Sequence, residues 1–279
     1  MKLNHYIYIF LFILLYIPSF FNPKAQVNAQ THIENPAMGD SAMKITILYD
    51  NYTYAENTQS DWGFSCLIEG LEKKILFDTG TKPDILMHNI QVLGVDISAI
   101  DLIIISHNHR DHTGGMSAVL KHNNHAIIYL PLSTPAADIA SLENQHFDVR
   151  KEKEPKEIIP DVYLSGELGK EIPEQSLIIK SKEGLIVITG CSHPGIENIL
   201  HRVREISKDN IYLVFGGFHL MRHSEKEVKV LISEFKSLGV QKCGCTHCTG
   251  DNAIALFKEA YQESFIPMGT GKVIEIKKF

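Results

Sequence analysis

The chain has 279 residues, 44 % of them hydrophobic and 22 % charged, which is enough apolar material for a sizeable core and argues against a disordered chain. The formal net charge is −6 with no basic run, which speaks against non-specific nucleic-acid binding. A small-molecule partner is expected instead, and neither length nor charge reveals an oligomeric state.

At the start, Met1 and Lys2 form a short basic head, and an apolar run from Tyr6 to Ile17 follows until Pro18 breaks it. Val27-Asn28-Ala29 then offers small residues near a cleavage point. This is the pattern of a secretory signal peptide, and the run falls short of the roughly 20 apolar residues of a membrane span. The expected organisation is a signal peptide over 1–29, a flexible segment over 30–42 and one domain over 43–279. The product would be periplasmic or secreted, touching a membrane only through an uncleaved leader. Cleavage removes Lys2 and Lys24 and no acid, moving the net charge from −6 to −8.

From Met43 the chain alternates strands and helices. Short β-type runs cover Met43–Tyr49, Phe64–Glu69 and Lys74–Phe77, with Gly70 suggesting a hairpin between the last two. Asp78-Thr79-Gly80 closes the third. A helix is predicted from Pro83 to Leu93, with Pro in its first turn and Gly94 as its stop. Leu102-Ile103-Ile104-Ile105 reads as a buried central strand. A short helix near 115–122 and a strand over Ala126–Leu130 come next. Residues 133–175 are irregular, and the charged run Lys151–Lys156 reads as a solvated loop or strand edge. Paired strands then cover Ser176–Lys180 and Leu185–Thr189. A helix spans Ile196–Ser207 and a strand Ile211–Phe215. The following helix carries the capping box Ser224/Glu227 and the stripe Val228, Leu231, Ile232, Phe235, Leu238. A strand near 242–246, a helix over 252–261 and a strand over 272–276 complete the pattern. It fits an α/β fold of two packed sheets with helices outside.

The strongest chemical signal is Ser106-His107-Asn108-His109-Arg110-Asp111-His112. Four potential metal ligands fall within six residues, directly after the buried strand. His107 and His109 share a side in extended chain, and Asp111 and His112 follow where the chain turns, able to face a second ion. Imidazole and carboxylate suit zinc, iron or manganese. Gly114-Gly115 would free the backbone to turn there.

His-x-His-x-Asp-His after an apolar strand resembles the signature of the metallo-β-lactamase-fold hydrolases. Phe77-Asp78-Thr79-Gly80 matches their earlier strand-end aspartate, and the strand order agrees over about residues 43–276. The resemblance implies an αββα four-layer sandwich with its metal site at one edge between the sheets. Later glycine- and cysteine-bearing segments are similar to a subgroup related to a dihydropterin-type synthase of methanopterin biosynthesis.

Three further histidines lie just past predicted strands: His193, His219 and His247. Strand ends gather at one sheet edge in α/β proteins, so six of the fourteen histidines are expected to converge. Two features depart from the family pattern. Residues 161–175 hold no histidine where a Gly-His-Thr-type motif is expected, and Gly190 is followed by Cys191 rather than a bridging aspartate. The expected repair has His193 completing a first site with His107 and His109, and Cys191 at the bridging position or just behind it. Whether His219 or His247 is the last ligand stays open. Asp78 is expected to orient a ligand histidine or a water from behind. Cys243, Cys245 and Cys248 read as buried thiols or one disulfide rather than a separate metal site.

The implied activity is metal-assisted hydrolysis of an ester, lactone, amide or phosphoester, with one or two zinc ions and Asp111 accepting or steering a proton. Iron redox chemistry, a pterin-type condensation and a non-catalytic metal-binding role in the envelope are the alternatives. Loops 51–63, with Tyr52, Tyr54 and Trp62, and 133–175 would shape the pocket.

Overall fold

The structure, a computed structural model, describes residues 42–277. The signal peptide expected over 1–29 and nearly all of the 30–42 segment lie outside the described residues. Ala42 already belongs to the first strand.

Two mixed sheets face each other. The first has seven strands in the order β13-β1-β2-β3-β4-β5-β6. These are β1 (Ala42–Tyr49), β2 (Ser65–Glu69), β3 (Ile75–Phe77), β4 (Leu102–Ile104), β5 (Ile127–Leu130), β6 (Val149–Lys151) and β13 (Val273–Lys277). The second has six strands in the order β12-β11-β10-β9-β8-β7. They are β7 (Lys156–Ile159), β8 (Val162–Leu164), β9 (Leu177–Ser181), β10 (Gly184–Thr189), β11 (Ile211–Gly217) and β12 (Lys242–Thr246). The last strand leaves the second half of the chain and pairs antiparallel with β1.

Alternation along the strands builds three buried layers. Leu102 and Ile104 of β4 face the space between the sheets, with Ile45, Phe77, Ile186, Ile188 and Phe215. Ile103 and Ile105 face outward onto α1 (Pro83–Val92) and α3 (Met116–Leu120). On the other flank, Leu185 and Val187 of β10 pack against α5 (Ile196–Ile206), α6 (Glu225–Ser237) and α7 (Asp251–Tyr261). A strand buried on both faces needs an unbroken aliphatic run, as β4 has. Each such side chain contributes roughly 1.5–3 kcal/mol by leaving water. The layers are therefore α, β, β, α, as the resemblance implies. The capping box of α6 forms as its sequence predicts, with Ser224 and Glu227 bonding each other's backbone. No helix among the described residues is long and apolar enough to cross a membrane.

Two local expectations change. Residues 133–175 are more ordered than their sequence suggests, forming α4 (Ala136–Asn144), β6, β7 and β8. β6 and β7 are edge strands of three and four residues whose charged side chains face water, so they leave no periodic signal. Gly114 and Gly115 do not supply a special turn. Both have ordinary helical backbone, but a Cβ would meet Thr81 O at 2.0 Å and Thr79 O at 2.2 Å, respectively. Their role is close approach to the segment after β3.

Candidate metal centre

β1, β3 and β4 run in one direction within the first sheet, and β10, β11 and β12 do so within the second. Their C-terminal ends deliver Asn51, Asp78, His107, Cys191, His219 and His247 to one edge. β9 runs antiparallel to β10, so Glu174, which precedes it, joins the same edge. His109 ends the extended stretch after β4 and leads into α2 (Arg110–Thr113), which carries Asp111 and His112. Asp78, Ser192, His219 and His247 all have φ between 51° and 64°. Left-handed backbone costs non-glycine residues about 1–3 kcal/mol and gathers at functional sites.

The side chains meet in two main groups. His107, His109 and His193 bring one ligand atom each to within 4.8 Å of one another. Asp111, His112, Cys191 and His247 do the same. In the second group Cys191 Sγ lies 3.2 Å from His112 Nε2 and 3.3 Å from His247 Nε2. Asp111 Oδ2 lies 3.3 Å from His247 Nε2 and 3.6 Å from His112 Nε2. The ring centroids of His107 and His112 are 4.2 Å apart, so the groups adjoin. His219, whose ring lies 4.5 Å from that of His193, belongs to neither group and instead shares a third one with Cys191 and Cys248. Thus His247, not His219, completes the Asp111 group.

Each group is oriented from behind. His112 Nδ1 lies 2.6 Å from Asp78 Oδ2, and Asp78 also accepts the backbone N–H and hydroxyl of Ser106. His247 Nδ1 lies 2.9 Å from Asn51 Oδ1. His193 Nδ1 lies 3.1 Å from Glu174 Oε2. Glu174, fully buried, further accepts the N–H groups of Gly190, Cys191, Ser192 and His193. Its carboxylate thereby fixes the whole turn after β10. Such partners set the tautomer and aim of a ligating imidazole.

The electrostatics follow the same layout. Burial works against charge on Glu174, but the His193 hydrogen bond, His107 and the Ser192 N–H outweigh it, holding the carboxyl well below its usual range. Burial also opposes the His112 imidazolium, and the Asp78 carboxylate overrides it, pushing the pKa up to about 9. Burial, aided by His112, pulls His107 down to about 2, so this imidazole is neutral at physiological pH. Burial raises the Cys191 thiol. Asp111 is held low by His247 and His112 in spite of burial.

The donor set suits a cation. His107 Nε2 is buried with no hydrogen-bond partner among the described residues, which is costly unless something else satisfies it. Three imidazoles make one group, and a carboxylate, a thiol and two imidazoles make the other, both within the ligand chemistry of zinc and related ions.

Sequence reasoning missed Glu174, Asn51 and Cys248 as members of this neighbourhood. Asn51 could have been found as another residue just past a strand. Glu174 precedes its strand and resembles any surface acid. Of the three loop aromatics, Trp62 reaches the centre: its Nε1–H donates to Asp111 Oδ2 at 2.9 Å, and its ring lies 4.9 Å from that of His247. Tyr52 instead donates to Asp251, and Tyr54 stacks under Lys272. All five cysteines are buried free thiols.

Comparison with known proteins agrees with this fold. Residues 63–176 match the metallo-β-lactamase superfamily profile. A curated relative from Methanocaldococcus jannaschii, 7,8-dihydropterin-6-methyl-4-(β-D-ribofuranosyl)-aminobenzene-5'-phosphate synthase, is 31 % identical over 84 % of this chain and 96 % of its own. The crystal structure of a metal-dependent hydrolase of the β-lactamase superfamily is 28 % identical with a TM-score of 0.70, covering 85 % of this chain and all of its own. Human tRNase Z, short form, shares the fold at 16 % identity and a TM-score of 0.57, covering 84 % and 99 % of the two chains. With the αββα layers and the convergent donors already in place, these likenesses establish that the chain belongs to the metallo-β-lactamase superfamily.

Proposed function

We propose that this protein is a metal-dependent hydrolase with two cation positions, acting on an ester, lactone, amide or phosphoester. The observation that carries the reading is the buried, unpartnered Nε2 of His107, set among donors contributed by both sheets. His107, His109 and His193 would hold one cation. Asp111, His112, Cys191 and His247 would hold the other. A divalent ion bound there lowers the pKa of water to about 7 and polarises an acyl or phosphoryl oxygen. The chain's own groups do the rest. Asp111 is placed to take a proton or steer the nucleophile, with Trp62 fixing one carboxylate oxygen. Glu174 and Asp78 hold His193 and His112 in register. A cavity of about 740 Å³ opens beside His193 and His219 and offers room for a small molecule.

The test is elemental analysis of the purified protein with a hydrolysis screen over those four bond types. Bound cations and turnover that His109→Ala abolishes are expected. Full activity in that variant would overturn the reading. A second reading has one observation in its favour, the 31 % identity to the methanogen synthase. Formation of that enzyme's named product, without hydrolysis of any ester, lactone, amide or phosphoester, would select it. The same proposal includes export. Removal of residues 1–29 would show as a mature amino terminus at Gln30.

A further inference from the structure

The five thiols fall into two kinds. Cys66 packs in the layer between the sheets, and Cys243 and Cys245 pack among aliphatic and aromatic side chains under α6 and α7. Burial among such neighbours is ordinary for a free cysteine. Cys191 and Cys248 belong to none of the three core layers, although each is only 3 % exposed. Their Sγ atoms and a ring nitrogen of His219 lie within 4.8 Å of one another. The surroundings make room for this meeting. A Cβ on Gly217 would sit 2.7 Å from Cys248 Sγ, so only glycine leaves that thiol its place. Cys248 Sγ is 3.5 Å from Cys191 O, a weak contact for a buried polar atom. His219 is exposed, and its imidazole connects the thiol pair to the cavity.

We propose that Cys191, His219 and Cys248 form a third cation position, which takes a thiophilic ion such as zinc or monovalent copper. Two thiolates and an imidazole are a softer donor set than the histidine and carboxylate groups beside them, and soft donors select those ions. The position depends on the two-cation reading only through Cys191, which both would share. On loading, the Cys191 and Cys248 thiol protons leave to solvent as the two sulfur–metal bonds form, the Cys191 proton having already left where the Asp111 position is filled first.

Cadmium serves as the probe, because its bond to thiolate gives an ultraviolet charge-transfer band. The full chain, stripped by a chelator under reducing conditions without oxygen, is titrated with Cd²⁺ while absorbance and bound metal are measured. Wild type should bind three equivalents. Cys248→Ser should bind two and lose about two thirds of the charge-transfer intensity, because both sulfur–cadmium bonds of the third position go and only the Cys191 bond of the Asp111 group stays. His219→Ala, a change at an exposed position that spares folding, should keep two equivalents tight and weaken the third by roughly tenfold or more. Two equivalents in wild type, with the band unchanged in Cys248→Ser, would overturn this proposal and leave the two-cation reading intact. Failure to bind any cation would overturn both.

Discussion

The two sheets supply the centre in different ways. The first contributes His107, His109, Asp111 and His112 from one stretch of six residues after β4. The second contributes Cys191, His193 and His247 from the ends of two strands more than fifty residues apart, with Glu174 reaching in from a third. One half is a compact motif, and the other is a product of topology. Neither half makes a group alone: His193 completes the imidazole triad, and Cys191 and His247 complete the Asp111 group. The centre therefore depends on how the sheets are packed as much as on the motif.

This comparison can be broken most severely from the topological side. Glu174→Ala should remove the anchor of four backbone N–H groups and of His193. Leaving buried donors unpaired should destabilise the protein by about 3–5 kcal/mol, read as a lower midpoint in denaturant, with the triad's cation lost as well. A cost no larger than that of an exposed substitution would mean the turn after β10 is held by other contacts.

On the motif side, Asp78→Asn should act more narrowly. It keeps the shape but loses the charge that orients His112, and should weaken the cation at the Asp111 group by roughly 10–100-fold. Equilibrium dialysis against a competing chelator reads this, and the triad's affinity should be unaffected.

The same pair has a pH signature in the chelator-stripped protein. His112 is pushed up to about 9 by Asp78 against burial, above the roughly 6.5 of an unfolded histidine. Its stabilising share is thus complete below about 6.5 and is lost as pH rises through 9. Thermal midpoints measured across that window should fall in wild type, and the fall should flatten in Asp78→Asn. Parallel curves would contradict the assigned pair.

Trp62→Phe should have the smallest effect. The indole is 44 % exposed, and its hydrogen bond to Asp111 contributes about 1 kcal/mol. Turnover should drop by less than about tenfold, with both cations retained.

Much of this was legible in the sequence, and the limits were physical. Leu102–Ile105 announced a strand buried on both faces, and the run that follows it announced a cluster of potential ligands. The pattern of residues just past strands pointed to His193 and His247, since parallel strands end at one edge. Sequence left the choice between His219 and His247 as last ligand open, because both follow a strand. The structure separates them by the paths of the turns after β11 and β12, which aim one ring at Cys248 and the other at Asp111. Glu174 stayed hidden because a buried carboxylate and a surface one read alike until the strand beside it is placed. Edge strands β6 and β7 were hidden by their own charge.

The central claim is that donors from both sheets converge on two cations. Anomalous diffraction from crystals of the metal-loaded protein tests it most directly. The account predicts one peak within bonding distance of His107, His109 and His193, and another within bonding distance of Asp111, His112, Cys191 and His247. A single peak held by the 107–112 motif alone, or no peak at His193 and His247, would contradict it.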